Sequence, residues 1–134
     1  MNFATAWFNG VGIVEIIVPR FNYNQGTQRE NDYRSRVVKT NMTGYLEMKD
    51  VTWRWRWSGH PGGSLNQGFR LRDGANNVVY ATTGSGSSGS KTFTVTNLDP
   101  SQTYHIFMEA WSSAPFYAER AASGDISYTY LTRP

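Results

Sequence analysis

The first candidate for ligand chemistry is an alternating run of tryptophan and arginine from Trp53 to Trp57. On a β-strand, this alternation places the indole rings on one face and the guanidinium groups of Arg54 and Arg56 on the other. Exposed indole faces would form a platform on which sugars or nucleobases stack. Buried indoles would instead fill a core, with Trp55 and Trp57 inside and Trp53 closing one end. We favour the core interpretation, which gives Trp55 and Trp57 structural roles.

Other residues that could support catalysis, metal binding or nucleotide binding lack the required partners or spacing. His60 and His105 are the only histidines and there is no cysteine, whereas zinc normally needs three or four nitrogen, sulfur or oxygen ligands. The glycine-rich stretch 84–92 resembles a phosphate-binding loop, but Ser90 stands where the lysine is required and a strand follows. No pair of carboxylates stands out in the sequence. We therefore expect no catalytic residue, no metal, no cofactor and no enzymatic activity.

Composition indicates one small globular domain. The chain has 134 residues, of which 15% are aromatic and 17% are charged, so aromatic side chains are plentiful enough to fill a core. The lack of cysteine excludes a disulfide scaffold, and no apolar run is long enough to insert into a membrane. The net charge of +3 is concentrated in residues 20–39, which hold five basic and two acidic side chains. The basic character therefore belongs to one segment.

The spacing of apolar residues and turn residues predicts an all-β chain. Asn9-Gly10 is a typical hairpin turn and joins two strands within residues 3–18. Residues 20–35 follow neither the strand nor the helix period, so we expect residues 20–36 to be a polar arm that is mobile and orders only against a partner. The Gly-Ser stretch 84–90 is expected to be a flexible loop. Further strands are predicted at 36–40, 45–57, 69–73, 78–82, 91–97, 104–111 and 126–131.

A short motif between two of these strands indicates how the chain crosses from one sheet to another. Residues 98–104, Leu-Asp-Pro-Ser-Gln-Thr-Tyr, resemble the Leu-x-Pro-x-x-x-Tyr corner of fibronectin type III domains. In such a corner the leucine closes one end of the core, the proline fixes the backbone, and the tyrosine hydroxyl bonds to upstream backbone. The resemblance implies structural roles for Leu98, Pro100 and Tyr104.

The resemblance covers residues 45–134 and implies an antiparallel immunoglobulin-like or fibronectin type III-like sandwich. In that family the segments 69–73, 104–111 and 126–132 would be neighbours in one sheet. Residues 1–44 have no counterpart in a minimal domain of the family. We therefore divide the chain into an N-terminal β extension over 1–44, made of a hairpin and a basic polar arm, and a sandwich over 45–134.

Strand parity divides the side chains of two strands between the core and an outer face. The inward set is predicted to be Phe69, Leu71, Tyr104, Ile106, Met108 and Ala110, and the outward set Arg70, Arg72, His105, Phe107, Glu109 and Trp111. An exposed Phe107 and Trp111 would form an apolar patch that monomers seldom leave bare. We therefore predict that Phe107 and Trp111, with Arg70 and Arg72, bind a partner. That partner could be the N-terminal hairpin, a neighbouring subunit or a ligand.

These features favour a non-enzymatic assembly or binding module. A small sandwich with a basic arm resembles the capsid decoration and tail accessory proteins of tailed phages, which implies protein subunits as partners and Arg29, Arg34 and Arg36 as contacts. One alternative is a carbohydrate-binding module that uses Trp111 and Phe107. The other is nucleic-acid binding through residues 20–39, a weaker prediction because it depends only on a charge of +3 and two tyrosines.

The expected location follows from the same resemblance. A phage accessory protein would be found on the virion, after synthesis in the host cytoplasm. Residues 11–18 are apolar, but Glu15 interrupts them and no basic segment precedes them, so no signal peptide is expected. Secretion would require a leader that has been removed.

Overall fold

The computed structural model describes residues 5–8, 11–28, 32–59, 63–113 and 119–133. These residues contain nine strands and no helix, so the predicted all-β class is confirmed. The strands are β1 (Thr5–Phe8), β2 (Val11–Gln28), β3 (Tyr33–Thr43), β4 (Tyr45–Gly59), β5 (Leu65–Arg72), β6 (Val78–Ser85), β7 (Ser88–Val95), β8 (Thr103–Ser112) and β9 (Arg120–Thr132).

The strands form two antiparallel sheets that pack as a sandwich. The five-stranded sheet has the order β1-β2-β9-β4-β7, and the four-stranded sheet has the order β3-β8-β5-β6. Neighbouring strands are antiparallel in every pair. Each sheet therefore has an inner face that fills the core and an outer face that meets solvent. The predicted antiparallel sandwich is confirmed.

The core is built by side chains that alternate inward along the strands of both sheets. Trp53 and Phe69 have no solvent exposure, and the Phe69 ring packs against those of Trp53 and Phe93 at centroid distances of 6.3 and 5.0 Å. Burying each such side chain contributes about 1.5–3 kcal/mol. All six residues that parity places inward on β5 and β8 are buried: Phe69, Leu71, Tyr104, Ile106, Met108 and Ala110.

The tryptophan strand belongs to this core, but its two ends differ from the prediction. Trp53 is fully buried and Trp55 nearly so, whereas Trp57 is half-buried. The expectation that Trp53 closes one end while Trp57 lies inside is therefore wrong. The reason is that Trp53 lies at the middle of β4, between β9 and β7, whereas Trp57 lies beyond the last residue pair of β4 and β7. Arg54 and Arg56 are exposed on the opposite face, as predicted.

The Gly-Ser stretch 84–90 is not the flexible loop that its composition suggests. It forms the ends of β6 and β7 and the turn between them, and the Trp55 indole packs on its glycines. A Cβ at Gly84 would lie 2.6 Å from this ring, and a Cβ at Gly89 would lie 2.2 Å from it, well inside normal contact distances. The buried ring therefore requires glycine at both positions.

The segment expected to be a mobile polar arm is strand over most of its length, so that expectation is wrong. β2 continues to Gln28 beside β9, and β3 begins at Tyr33 beside β8. Buried glutamines explain why no apolar period marks the segment. The side-chain amides of Gln25 and Gln28 donate to the carbonyls of Met108 and Ala110 on β8, so their amide nitrogens are paired, whereas both Oε1 atoms are buried without a hydrogen-bond partner.

The N-terminal part of the chain contributes to both sheets. The extension predicted over 1–44 supplies β1 and β2 to the five-stranded sheet and β3 to the four-stranded sheet. β9 lies between β2 and β4, so the expectation that the last strand lies beside β8 is wrong. β3 occupies that edge of the four-stranded sheet instead.

The segment 98–104 crosses from β7 to β8 with its ends fixed by hydrogen bonds. The Tyr104 hydroxyl accepts a hydrogen bond from the backbone N–H of Asp99 at 2.8 Å, and the Pro100 carbonyl accepts one from Gly44 at 3.2 Å. Leu98 and Tyr104 are buried. These contacts do not assign the fibronectin type III family, because the strand order differs from the one that the resemblance implies.

Candidate functional site

The outer face of the four-stranded sheet carries the side chains that parity places outward. Strand pairing aligns them in rows that run across β3, β8 and β5. Successive rows are Tyr33–Trp111–Asn66, Ser35–Glu109–Gly68 and Val37–Phe107–Arg70. Residues that are distant in the sequence therefore meet on one surface, with β8 at its centre.

An open groove of about 640 Å³ lies at this face, and we call it the outer groove. Its lining combines aromatic, charged, amide and hydroxyl side chains from three strands and the adjoining turns. The lining residues are Asp32, Tyr33, Ser64, Asn66, Arg70, Glu109, Trp111, Ser112 and Ser113. A concave site of this size, with a few fixed polar groups, is typical of small-ligand binding.

The floor of the outer groove is an ion pair between Arg70 and Glu109. Arg70 Nε lies 2.7 Å from Glu109 Oε1, and both side chains are largely buried. Gly68 makes room for the pair, since a Cβ there would lie 3.1 Å from each of them. Arg70 Nη1 also donates to the carbonyls of Phe69 and Thr82 at 3.0 and 2.8 Å. The guanidinium is therefore held by backbone, and it holds the carboxylate in turn.

Burial affects the protonation of both members of this pair. Burial raises the pKa of Glu109. It lowers the pKa of Arg70, and the nearby positive charge of Arg72 lowers that pKa further. The close contact between the two groups opposes both shifts. The Tyr33 hydroxyl donates to Glu109 Oε2, so each carboxylate oxygen has a partner. The carboxylate is consequently fixed in position within the groove.

Two aromatic rings form the wall at one end of the outer groove. Tyr33 is 60% exposed, and its ring centroid lies 6.3 Å from that of Trp111, with the planes tilted by 33°. The rings are neighbours because β3 pairs with β8 at this row. Their faces can contact the C–H surface of a ring-shaped ligand while the floor binds its polar groups.

Phe107 and Arg72 share the outer face but lie beside the groove. The Arg72 guanidinium carbon lies 5.2 Å from the Phe107 ring centroid, and Arg72 Nη1 donates to the Asn76 carbonyl at 3.1 Å. The predicted apolar patch is thus partly covered by an arginine of its own sheet. The N-terminal hairpin that was expected to compete for this face lies elsewhere, because β1 and β2 belong to the five-stranded sheet.

Two of the arginines expected to act through the arm, Arg34 and Arg36, do not line the outer groove. Arg34 and Arg36 lie opposite core-facing residues of β8, so they project from the other side of β3. Arg34 Nη1 donates to the Gln25 carbonyl at 3.1 Å and ties β3 to β2. Arg36 is exposed, and Arg29 lies outside the described residues. Of the predicted partner-binding residues, the structure brings Arg70 and Trp111 together in the groove.

Seven of the nine groove residues are not among the partner-binding residues predicted from the sequence. The three on which the site depends most are Tyr33, Asn66 and Glu109. Tyr33 lies in the segment interpreted as an irregular arm, and Asn66 precedes the predicted start of its strand at residue 69. Parity places Glu109 outward, but its role depends on Arg70 and Tyr33 from neighbouring strands. The missing signal is strand register, because each of these residues becomes part of a site only through its cross-strand neighbour.

The described ranges contain no group of three or more His, Cys, Asp or Glu side chains that could hold a metal ion. His105 Nδ1 instead accepts a hydrogen bond from the Asn41 backbone at 3.2 Å and lies 2.6 Å from Thr40 Oγ1. His60 lies outside the described residues. In the same part of the chain there is no helix of the length and apolar character needed to cross a membrane.

Comparison with known proteins finds similarity of shape but not of sequence. No protein-family model and no curated protein sequence matches the chain. FLHE superimposes with a TM-score of 0.52 at 15% identity, covering 87% of this chain and 96% of that one. VP2 of infectious bursal disease virus, as a subviral particle, gives a TM-score of 0.57 at 11% identity over 90% of this chain. This chain spans only 32% of VP2.

A lower similarity exists to the carbohydrate-binding module TmCBM61 in complex with β-1,4-galactotriose. Its TM-score is 0.35 at 14% identity, covering 92% of this chain and 71% of that one. The FLHE and VP2 similarities, at their low identity, show the β-sandwich fold alone.

Proposed function

We propose that this chain is a non-enzymatic carbohydrate-binding module that holds an uncharged glycan in the outer groove. The observation that carries the proposal is the Tyr33–Trp111 wall beside the Arg70–Glu109 floor. Aromatic faces contact the C–H surface of a sugar ring, and fixed polar groups beside them bind its hydroxyls. The Arg70–Glu109 ion pair has no net charge, so the groove floor favours an uncharged ligand.

The polar lining supplies both functions that a sugar hydroxyl requires, since a hydroxyl donates one hydrogen bond and accepts others. The Glu109 carboxylate accepts, and the Asn66 amide can donate and accept. Ser113 Oγ accepts from the Ser64 backbone N–H at 3.0 Å, which positions its own hydroxyl at the groove. The volume of about 640 Å³ is ample for a short oligosaccharide.

Binding is favoured over glycoside hydrolysis by the environment of Glu109. A hydrolase needs one carboxyl group that donates a proton and a second that attacks or activates water. Both oxygens of Glu109 are engaged, one by Arg70 and the other by Tyr33. A carboxylate held in this way can accept hydrogen bonds from a ligand, but it is poorly placed to release a proton or to act as a nucleophile.

A glycan array probed with the labelled protein, followed by calorimetric titration of the ligands retained, tests this function. Trp111→Ala and Tyr33→Ala are each expected to weaken binding by about 2 kcal/mol, or roughly thirtyfold, because each removes half of the aromatic wall. Both variants should keep the thermal unfolding midpoint near that of the wild type, since neither side chain lies in the core.

The matched control is Ile17→Ala, which removes a side chain that is 77% exposed on the outer face of the other sheet. It should bind glycan as the wild type does. The proposal is contradicted if the wild type retains no glycan, or if both aromatic variants bind as tightly as the control.

A second candidate is the assembly module expected from the sequence, with protein subunits as partners and a virion location as a phage decoration or tail component. The observation in its favour is that large apolar side chains outside the groove are exposed to solvent. Ile17 is 77% exposed and Val37 is 51% exposed. Val37 lies on β3, an edge strand, and edge strands present backbone groups to other chains. Concentration-dependent sedimentation that Val37→Asp abolishes and Trp111→Ala leaves intact would favour assembly over glycan binding.

A further inference from the structure

The outer face of the five-stranded sheet carries three arginines around one buried carboxylate. Asp125 lies on β9, the central strand, and is 2% exposed. Arg54 Nε and Nη2 donate to its two oxygens at 3.0 Å each. Arg20 and Arg56 approach the same carboxylate at 3.1 and 3.4 Å. We call Arg20, Arg54 and Arg56 the arginine cluster.

Two local features of the chain bring the arginine cluster together. Arg54 and Arg56 alternate with the core tryptophans of β4, so burial of the indoles turns both guanidiniums outward. Arg20 comes from a bulge in β2, where the register against β9 shifts between Val18 and Phe21. Pro19 cannot donate to the strand ladder and is suited to such a bulge, which re-aims the side chain that follows.

The arginine cluster exceeds what Asp125 requires. One arginine in bidentate contact satisfies a carboxylate, and Arg54 already makes that contact. The whole group carries two more positive charges than negative ones. The side chains of Arg20, Arg54 and Arg56 are 40%, 51% and 50% exposed, so N–H donors that Asp125 does not use face solvent. A bound anion would reduce the repulsion among the three like charges.

Small polar side chains surround the arginine cluster in the register of the sheet. The rows across β2, β9, β4 and β7 are Asn22–Asp125–Arg54–Ser90 and Asn24–Ser123–Arg56–Ser88. Amides and hydroxyls of this kind bind the hydroxyls of a polyol chain. Neither row contains an aromatic ring on which a nucleobase could stack.

We infer that the arginine cluster binds the carboxylate or sulfate groups of an acidic polysaccharide. Guanidinium groups bind such oxyanions through paired hydrogen bonds, and the neighbouring amides and hydroxyls match the rest of the sugar. Nucleic acid fits less well, because affinity for it grows with the number of phosphates neutralised, and the cluster has only two surplus charges. The two rows that carry Arg54 and Arg56 contain no ring on which a base could stack. The site is on the opposite sheet from the outer groove and does not depend on it.

Affinity electrophoresis through gels containing polygalacturonate, dextran sulfate or neutral dextran tests the inference, with single-stranded DNA titrated in parallel. The wild type should be retarded by at least one acidic polymer and not by dextran. Arg20→Gln/Arg56→Gln keeps the Arg54–Asp125 contact and should weaken retardation about tenfold or more, because it removes both surplus charges. Arg56→Gln alone, which loses only the longest contact, is the fallback if the double variant does not fold.

The control is Arg36→Gln/Arg72→Gln, which lowers the net charge equally at positions remote from the arginine cluster and should retain acidic-polymer binding to within about twofold. An equal loss in this control, or no retardation of the wild type by either acidic polymer, overturns the inference. Tighter binding to DNA than to both polysaccharides also overturns it. Trp111→Ala should leave acidic-polymer binding unchanged, so failure at this face and failure at the outer groove are distinguishable.

Discussion

The two outer faces of the sandwich combine arginine and carboxylate in different proportions. On the four-stranded sheet, Glu109 meets the largely buried guanidinium of Arg70 beside two aromatic rings. On the five-stranded sheet, Asp125 meets three half-exposed guanidiniums among small polar side chains. The first face is balanced in charge and adds aromatic surface, whereas the second keeps positive charge in excess. The two proposals therefore differ in ligand charge because the two faces differ in the proportion of arginine to carboxylate.

The different proportions are possible because the arginines differ in burial. The Arg70 side chain is 18% exposed, and a guanidinium at that depth must be fully paired to be tolerated. Arginines that are about half exposed keep much of their hydration, so they can share one carboxylate at little cost. Removing the carboxylate should therefore have a larger effect on the four-stranded sheet than on the five-stranded sheet.

The largest effect is expected for Glu109→Ala. This change leaves the largely buried Arg70 guanidinium without a counter-ion, although its hydrogen bonds to backbone carbonyls remain. It should lower the free energy of unfolding by about 3 kcal/mol. Urea denaturation monitored by tryptophan fluorescence measures the loss. Glu109→Gln keeps one oxygen acceptor for Arg70 and places an amide NH2 that can donate to the Tyr33 hydroxyl, so it should lose less. A Glu109→Ala variant as stable as the wild type would show that the floor pair is not needed to bury Arg70.

A smaller effect is expected for Asp125→Asn on the other face. The exposed arginines can recover hydration when the carboxylate is replaced, so the loss should be about 1–2 kcal/mol. The same denaturation experiment gives the value. If Asp125→Asn lowers the free energy of unfolding more than Glu109→Ala does, then the burial of the arginines does not explain the difference between the two faces.

Tyr104→Phe provides a neutral reference away from both charged sites. It removes the hydroxyl that accepts from the Asp99 N–H and should cost about 1 kcal/mol without affecting either ligand. An unchanged urea midpoint would mean that this hydrogen bond does not stabilise the crossing between β7 and β8.

The smallest effect, and the one most specific to the comparison, is on the pH dependence of stability. Burial raises the pKa of Glu109, so stability from this group falls as pH rises from the ordinary glutamate pKa through the raised one. Burial alone would also raise the pKa of Asp125, but the hydrogen bond from Arg54 and the charges of Arg20 and Arg54 hold it below its ordinary value. Stability from Asp125 is therefore present above the ordinary aspartate pKa and is lost as pH falls through the lowered one.

Unfolding free energies measured across the acidic range separate the two groups. The difference between wild type and Glu109→Gln should decrease as pH rises, and the difference between wild type and Asp125→Asn should decrease as pH falls. Two difference curves that slope in the same direction would contradict the opposite pKa shifts.

Strict alternation made one part of the fold predictable from sequence. Along β8 it placed Tyr104, Ile106, Met108 and Ala110 inward, and all are buried. The β-sandwich follows from such patterns because a one-residue shift would expose the whole apolar set. The same parity identified the outer face that carries Arg70 and Trp111, although the sequence did not indicate the groove.

The rest could not be predicted because polar side chains hide the strand pattern. Gln25 and Gln28 face inward in β2 and are paired to carbonyls of β8, so an apolar period is missing where a strand exists. The sequence predicts a strand only over 36–40 of β3 and assigns the position beside β8 to the last strand. Tyr33 therefore lies outside any predicted strand and is not matched with Trp111. The arginine cluster was equally hidden, because Arg20 reaches Asp125 only through the bulge in β2.

The glycines that face Trp55 have a practical consequence for engineering the protein. The stretch 84–90 has the composition of a spacer, and a designer would choose it for an affinity tag or a circular permutation. An added residue next to Gly84 or Gly89 would instead displace these glycines from the indole that packs on them and open the sandwich at the edge formed by β6 and β7. The turn itself leaves space around Gly86, where no atom lies within 4 Å of a Cβ. Gly86 nevertheless has a φ of +91° and donates its N–H to the Leu65 carbonyl at 2.9 Å, so an insertion in the turn must keep this glycine and its hydrogen bond.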